Sequence, residues 1–288
     1  MRKLEADGTE VTIYRPNERQ GGFLWGVRQA AGDIHASRYI ILRLFLRDFK
    51  AQYKQKLLGY FWAFISPLLG VLSFLFLYIS GVLVPGEGEI PYTLYVLTGS
   101  CVWSCLPGAL AGVSGGLAAQ ADLIMRTRIP KISLAVSALS NLYYAIMTNM
   151  VTVLVVLLLY GMAPSWWFIL YPVLVLPMVL LGASAGLVLS VLGIIARDLT
   201  SMVQFGLSLV MYVTPVIYLR DTITNPLIKT LITYNPLTYL VDTPRSLIIT
   251  GHAENGGVFL LLSAAACVCA VVCIRVFYLI EDLAAERL

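Results

Sequence analysis

The chain has 288 residues, of which 59% are hydrophobic and 12% charged, with a formal net charge of +4 and a mean hydropathy of +0.82. Soluble domains carry roughly 25% charged residues, so a water-soluble globule is excluded and a polytopic helical membrane protein is indicated. No basic patch points to nucleic acid.

Residues 1–33 mix Gly, Asp, Glu and Arg around a short β-like piece, Val11 to Tyr14. They read as a cytosolic lead-in, too polar for a cleaved signal peptide. Residues 34–56 form a predicted interfacial helix. Arg43, Arg47, Lys50 and Lys54 recur at i, i+4, i+7 and i+11, while Leu42, Phe45, Leu46, Phe49 and Tyr53 make the neighbouring apolar face. Charge stops at Lys56 and returns only at Glu87. Between them Leu58-Gly59 is a break that lets the chain turn from lying on a membrane to entering it, because Gly adopts backbone angles other residues resist.

Six spans follow, at about 57–84, 92–119, 132–160, 168–196, 199–218 and 257–280, each near the roughly 20 residues that crossing requires. In the second, Gly108, Gly112 and Gly116 recur every four positions and predict close helix contact. In the third, Asn141 and Asn149 are expected on similar faces, where they bond across helices or line a polar path. Trp166 and Trp167 suit an aromatic belt at the membrane surface. Gln204, Tyr212 and Thr214 make the fifth span the least apolar, a helix facing protein or water rather than lipid. Residues 222–250 alternate short apolar groups with Pro and charge. Two helices of about ten residues each would reach roughly 15 Å, half a bilayer, so a re-entrant pair is expected before the last span. Residues 281–288 read as a cytosolic tail. The fold class is therefore all-α. Seventeen of the twenty Lys and Arg fall on the side of the N-terminal segment, which places both termini in the cytosol.

The five cysteines, at 101, 105, 267, 269 and 273, sit inside apolar runs as small hydrophobes, and neither His35 nor His252 has a ligand at metal spacing. There is no phosphate-binding G-x-x-x-x-G-K-[ST] motif, no dinucleotide fingerprint, no H-E-x-x-H and no C-x-x-C. The acids between residues 57 and 280 all fall in expected loops, which disfavours an ion-coupled pump.

The stretch RDFKAQYKQKLLGYFWAFISPLL, Arg47 to Leu69, resembles the membrane subunits of ABC-2 type polysaccharide exporters, which carry O-antigen, capsule or teichoic acid chains. The likeness extends to R-x-R-x-P-K at Arg126 to Lys131, GIIARDL at Gly193 to Leu199, TPVIY at Thr214 to Tyr218 and YNPLTYLVDTPRSLI at Tyr234 to Ile248. It implies a multi-pass permease of the bacterial cytoplasmic (inner) membrane. Such a permease acts as a homodimer with two copies of a separate ATPase that binds ATP and Mg, leaving this chain with no cofactor and no catalysis of its own. The substrate implied is a polyprenyl-diphosphate-linked polysaccharide.

By the same resemblance Asp122, Arg126, Arg128 and Lys131 form the helix that couples to the ATPase, although these cations would also anchor a loop at anionic headgroups. Leu58 and Gly59, with Lys54 and Lys56 beside them, match the loop that guides the lipid-linked substrate in; plain positive-inside anchoring is the other reading of the lysines. Tyr60, Phe61, Trp62, Tyr212 and Tyr218 suit stacking on sugar rings along a channel, and belt positions are the alternative. Asn235, Pro236, Asp242 and Arg245 belong, by resemblance, to an outer gate, and an Asp242–Arg245 pair at i, i+3 also suits the capping of one helical turn. An ABC-2 exporter of drugs or lipids is the competing transport reading. A membrane enzyme acting on lipid-linked sugars, with Asp198 and Asp242 as its acids, is the competing reading of another class.

Overall fold

The computed structural model describes residues 3–6, 9–12, 25–54, 61–81, 90–120, 129–193 and 198–286. Among them the only strands are a short antiparallel hairpin, β1 (Lys3–Ala6) and β2 (Thr9–Thr12), with Leu4 opposite Val11. The α-helices of the described residues are α1 (Trp25–Ala36), α2 (Arg38–Lys54), α3 (Phe61–Ile79), α4 (Tyr92–Trp103), α5 (Cys105–Ala119), α6 (Lys131–Ala138), α7 (Ser140–Leu159), α8 (Tyr171–Leu174), α9 (Leu176–Leu192), α10 (Leu199–Val213), α11 (Pro226–Tyr234), α12 (Pro236–Ile249) and α13 (Gly256–Glu286), with short 3-10 turns at Trp166–Leu170 and Arg220–Thr222.

Among the described residues, four helical stretches are long and apolar enough to cross a membrane: Tyr92–Leu117, Lys131–Leu159, Trp166–Leu192 and Gly256–Leu279. Two shorter apolar helices, Phe64–Ile79 and Leu199–Val213, accompany them. Prolines account for two of the breaks inside these stretches. A proline has no N–H, and its ring clashes with the carbonyl four residues back. Pro107 thus interrupts the passage from α4 to α5 around Ser104, and Pro177 does the same between α8 and α9.

Glycines set the closest packing. A Cβ on Gly116 would meet Ala138 Cβ at 2.2 Å, and one on Gly108 would meet Leu142 Cδ1 at 3.0 Å, so the expected glycine ridge of α5 is the seam against α6 and α7. The opposite face of α5 takes α9, where Gly182 and Gly186 lie directly on the Leu106 and Leu110 carbonyls. The main core, with Leu94, Leu97, Val153, Tyr171, Met178, Leu240 and Ile248, surrounds this stack. A second, smaller core gathers Ala30 and Leu44 of the N-terminal helices with Val113, Leu134, Leu187, Phe277 and Tyr278.

Several expected boundaries shift. Residues 25–33, expected as part of the lead-in, are helical with the start of the amphipathic segment, and the turn at Ser37 separates α1 from α2. In α2, Phe45 and Phe49 pack edge-on against Tyr143 and Tyr144 of α7, while Leu42 and Leu46 stay exposed, so the apolar face is divided between protein and surroundings. The fifth apolar run leaves the helix at Thr214, four residues before the expected end. Thr214 precedes Pro215 and is extended, with φ −97° and ψ 133°, as steric conflict with the proline ring requires. The last helix continues through Glu286, into the expected tail. Asn141 and Asn149 do not share a face: eight residues at 3.6 per turn leave them about 80° apart. Asn149 is buried and reaches Ser104 Oγ at 3.4 Å, whereas Asn141 is exposed.

Candidate functional site

Among the described residues, the most densely bonded polar site lies where the chain leaves α10, runs irregularly from Thr214 to Leu219 and returns through α11 and α12. An irregular backbone in apolar surroundings leaves carbonyls without partners, each costing several kcal/mol unless a donor is supplied. Here two tyrosines and an arginine supply them. Tyr92 donates to the Ile217 carbonyl at 2.9 Å. The Tyr95 hydroxyl lies 3.2 Å from the Pro215 carbonyl and 3.1 Å from that of Tyr218, with one proton to give. Arg245, 4% exposed, donates through Nη1 to the Pro215 carbonyl at 3.0 Å and through Nη2 to the Tyr95 hydroxyl at 2.6 Å.

Asp242, one turn before Arg245, forms the ion pair with the same guanidinium nitrogen. The guanidinium carbon stands 3.5 Å from the centroid of the Tyr95 ring, a cation–π contact in a desolvated place. Small size at Gly99 makes room: a Cβ there would come within 3.0 Å of both Arg245 Nη1 and the Val216 carbonyl. Tyr92, Tyr95 and Gly99 are spaced i, i+3, i+7 and so line one face of α4. Arg245 is thus more than the cap of a helical turn, because it joins α4, the irregular segment and α12.

Helices α11 and α12 begin in the same way. Asn225 and Asn235 are each extended, each accept from the N–H two residues on (Leu227 and Leu237) at 3.0 Å, and each precede a proline at the first helical position. This is the N-cap and N1 chemistry expected of Asn-Pro. Asn235 Nδ2 also donates to the buried Thr214 Oγ1 at 3.0 Å, tying the joint between α11 and α12 to the end of α10. Tyr239 closes the joint from the other side, donating to the Thr233 carbonyl at 2.9 Å.

The remaining expected residues fall into three places. Phe61 and Trp62 open α3 and are 74% and 41% exposed. Tyr212 is exposed near the end of α10, and the half-buried Tyr218 donates to its carbonyl at 3.0 Å, so these two aromatics are neighbours. Tyr212 lies with Phe205 and Leu209 on an outward face of α10, a helix with no buried residue, and Tyr218 follows in the irregular segment. Lys54 is the last residue of α2, whereas Lys56, Leu58, Gly59 and Tyr60 lie outside the described residues. Asp122, Arg126 and Arg128 lie outside them too, and Lys131 is the first residue of α6.

Sequence reasoning missed Tyr92, Tyr95 and Gly99, although an arginine inside PLTYLVDTPRSLII and two tyrosines three apart before a glycine were visible signals. Among the described residues no group of three or more His, Cys, Asp or Glu could hold a metal ion. The Arg245 arrangement positions segments and seals polar backbone.

The sequence profile of the ABC-2 type transporter family matches residues 39–249. The chain is also similar to proteins called O-antigen export system permease protein RfbA. One from Klebsiella pneumoniae is 28% identical over 208 residues, covering 71% of this chain and 78% of that protein. One from Myxococcus xanthus is 24% identical over 233 residues, covering 81% of this chain and 88% of that protein.

Proposed function

Because this chain belongs to the ABC-2 type transporter family, whose members are membrane transport subunits, we propose that it is the permease of an ATP-driven exporter of polyprenyl-diphosphate-linked polysaccharide. The observation that carries the substrate class is the likeness, over more than two thirds of the chain, to O-antigen export permeases of two bacteria. Exposed aromatics on α3 and α10 are in keeping with a polymer path, since flat ring faces with polar rims hold a sugar while letting it slide. A drug or lipid exporter has no use for such a path.

In this reading the chain sits in the inner membrane with both termini in the cytosol. The two shorter apolar helices join the four long ones as six spans, and α11 and α12 form the re-entrant pair. Two copies enclose the path. Two copies of a separate ATPase, holding ATP and Mg, dock on the segment of Asp122, Arg126, Arg128 and Lys131. Lys54, Lys56, Leu58 and Gly59 receive the substrate, with the cations drawing the diphosphate at headgroup depth. Phe61, Trp62, Tyr212 and Tyr218, with Tyr60, line the path. At the outer end Arg245 and Asp242 hold α12 as a fixed post, Asn235-Pro236 is the joint, and α11 is the part free to gate.

The test is charge reversal. The purified chain alone hydrolyses no ATP, and Arg126→Glu with Arg128→Glu abolishes co-purification and stimulation of the co-expressed ATPase. Normal coupling in that double variant contradicts the docking assignment.

A further inference from the structure

At the end of the molecule away from the Arg245 site, three segments distant in sequence meet on one residue of α1. Asp33 Oδ2 accepts from the Tyr278 hydroxyl at 2.8 Å, across 245 positions of sequence. Its backbone carbonyl accepts from Ser133 Oγ at 3.2 Å, and its other carboxylate oxygen accepts from Gln29 at 3.1 Å, within α1 itself. Ser133 and Tyr278 are almost fully buried. Around them Ala30, Leu134, Ala135 and Phe277 form the second core, a cluster separate from the main one. One face of α1 faces the last helix twice, because Gly26 lies against the Arg275 side chain seven residues before Asp33, where a Cβ on Gly26 would stand 3.4 Å from Arg275 Cδ.

Ser133 is the third residue of α6, two positions after Lys131, so the segment assigned to the ATPase leads straight into this junction. α1 is itself short and polar, with exposed Arg28 and Gln29, and its packing rests on few apolar groups. Two polar bonds to one residue therefore join α6 and α13 to α1, while the Gln29 bond holds the Asp33 carboxylate from within α1, and a segment with two firm attachments transmits displacement between them.

We propose that Asp33 is a positioning residue for transport: it joins the start of α6 to the end of α13 through α1, so that a push on the 122–131 segment moves the inner ends of both helices together. This rests on the reading that the ATPase docks on that segment. Asp33 touches no substrate in this scheme. It converts a local push into a shared movement of the two helices that it joins.

The experiment measures polymer transported per ATP hydrolysed in inverted membrane vesicles carrying the whole permease–ATPase complex, with lipid-linked polymer extracted from the host as the probe. Tyr278→Phe removes one bond and keeps the ring in its core. Asp33→Asn retains an acceptor for Tyr278, while Asp33→Ala removes it. The proposal expects wild-type co-purification of the ATPase in every variant and a fall of about fivefold in transport per ATP for Asp33→Ala. Tyr278→Phe falls in the same direction, and Asp33→Asn stays close to wild type. Wild-type transport per ATP in both Asp33→Ala and Tyr278→Phe overturns it, as does a loss of transport and hydrolysis in proportion, which a merely structural contribution gives. If Asp33→Ala fails to fold, Tyr278→Phe alone decides. Arg126→Glu with Arg128→Glu, run beside them, reports on docking independently: an ATPase that stays bound and coupled there sinks the docking reading whatever the Asp33 variants do.

Discussion

α12 and α11 are consecutive helices with the same Asn-Pro start, yet they differ in what they touch. α12 buries most of its length, including Leu240, Val241, Arg245 and Ile248, against α4 and the irregular segment. α11 buries only Ile232 and turns Leu227, Leu231 and Tyr234 outward, at 77%, 61% and 83% exposed. Capping chemistry is enough to start a helix, then, and says nothing of whether it is fixed. Fixing comes from the long-range bonds of Arg245; among the described residues α11 is held instead by Arg220 Nη2 on Thr233 Oγ1 at 2.9 Å and by the neighbouring Thr238 and Tyr239 hydroxyls on its Ile232 and Thr233 carbonyls.

The contrast can be broken by removing the clamp. Arg245→Ala leaves Asp242 without the guanidinium and the Pro215 carbonyl with one donor fewer, and breaking a buried pair in this way costs about 3–5 kcal/mol. Thermal unfolding of the detergent-purified protein should show it as the largest loss among single substitutions in this region. Gly99→Val attacks the same clamp from α4 by crowding Nη1 and the Val216 carbonyl, at about 1–3 kcal/mol. The same unfolding measurement should place it between Arg245→Ala and wild type. Leu231→Ala sharpens the comparison from the other side. An exposed position changes stability by no more than about 0.5 kcal/mol, so any loss of transport in that variant reports on the action of α11 and not on folding. A loss of stability as large as that of Gly99→Val would put α11 among the fixed elements.

Local chemistry was legible in the sequence. The glycine ridge of α5 and its close seam follow from spacing alone, and the two Asn-Pro starts can be read directly from residues 225–226 and 235–236. The early end of α10 was legible in principle, since Thr214 precedes a proline. What could not be read was pairing between residues far apart: Tyr95 and Arg245 are separated by 150 positions, and Asp33 and Tyr278 by 245. Helical periodicity carries no record of such partners. α1 escaped notice for another reason, because Gly26, Gly32 and its charged residues give no clean apolar stripe, and its packing depends on the ends of α6 and α13. Leu58-Gly59 and the basic segment of Arg126 and Arg128 lie outside the described residues, so the roles proposed for them rest on the family likeness.

The central claim is that this chain exports a lipid-linked polysaccharide, and the most direct test is to delete its gene in the host and extract the lipid-linked material of the membranes. The account predicts that a polyprenyl-diphosphate-linked polymer accumulates on the cytosolic face while the surface glycan disappears, with both restored by the wild-type gene. Unchanged surface glycan together with no accumulated polymer would contradict it and point to a smaller substrate.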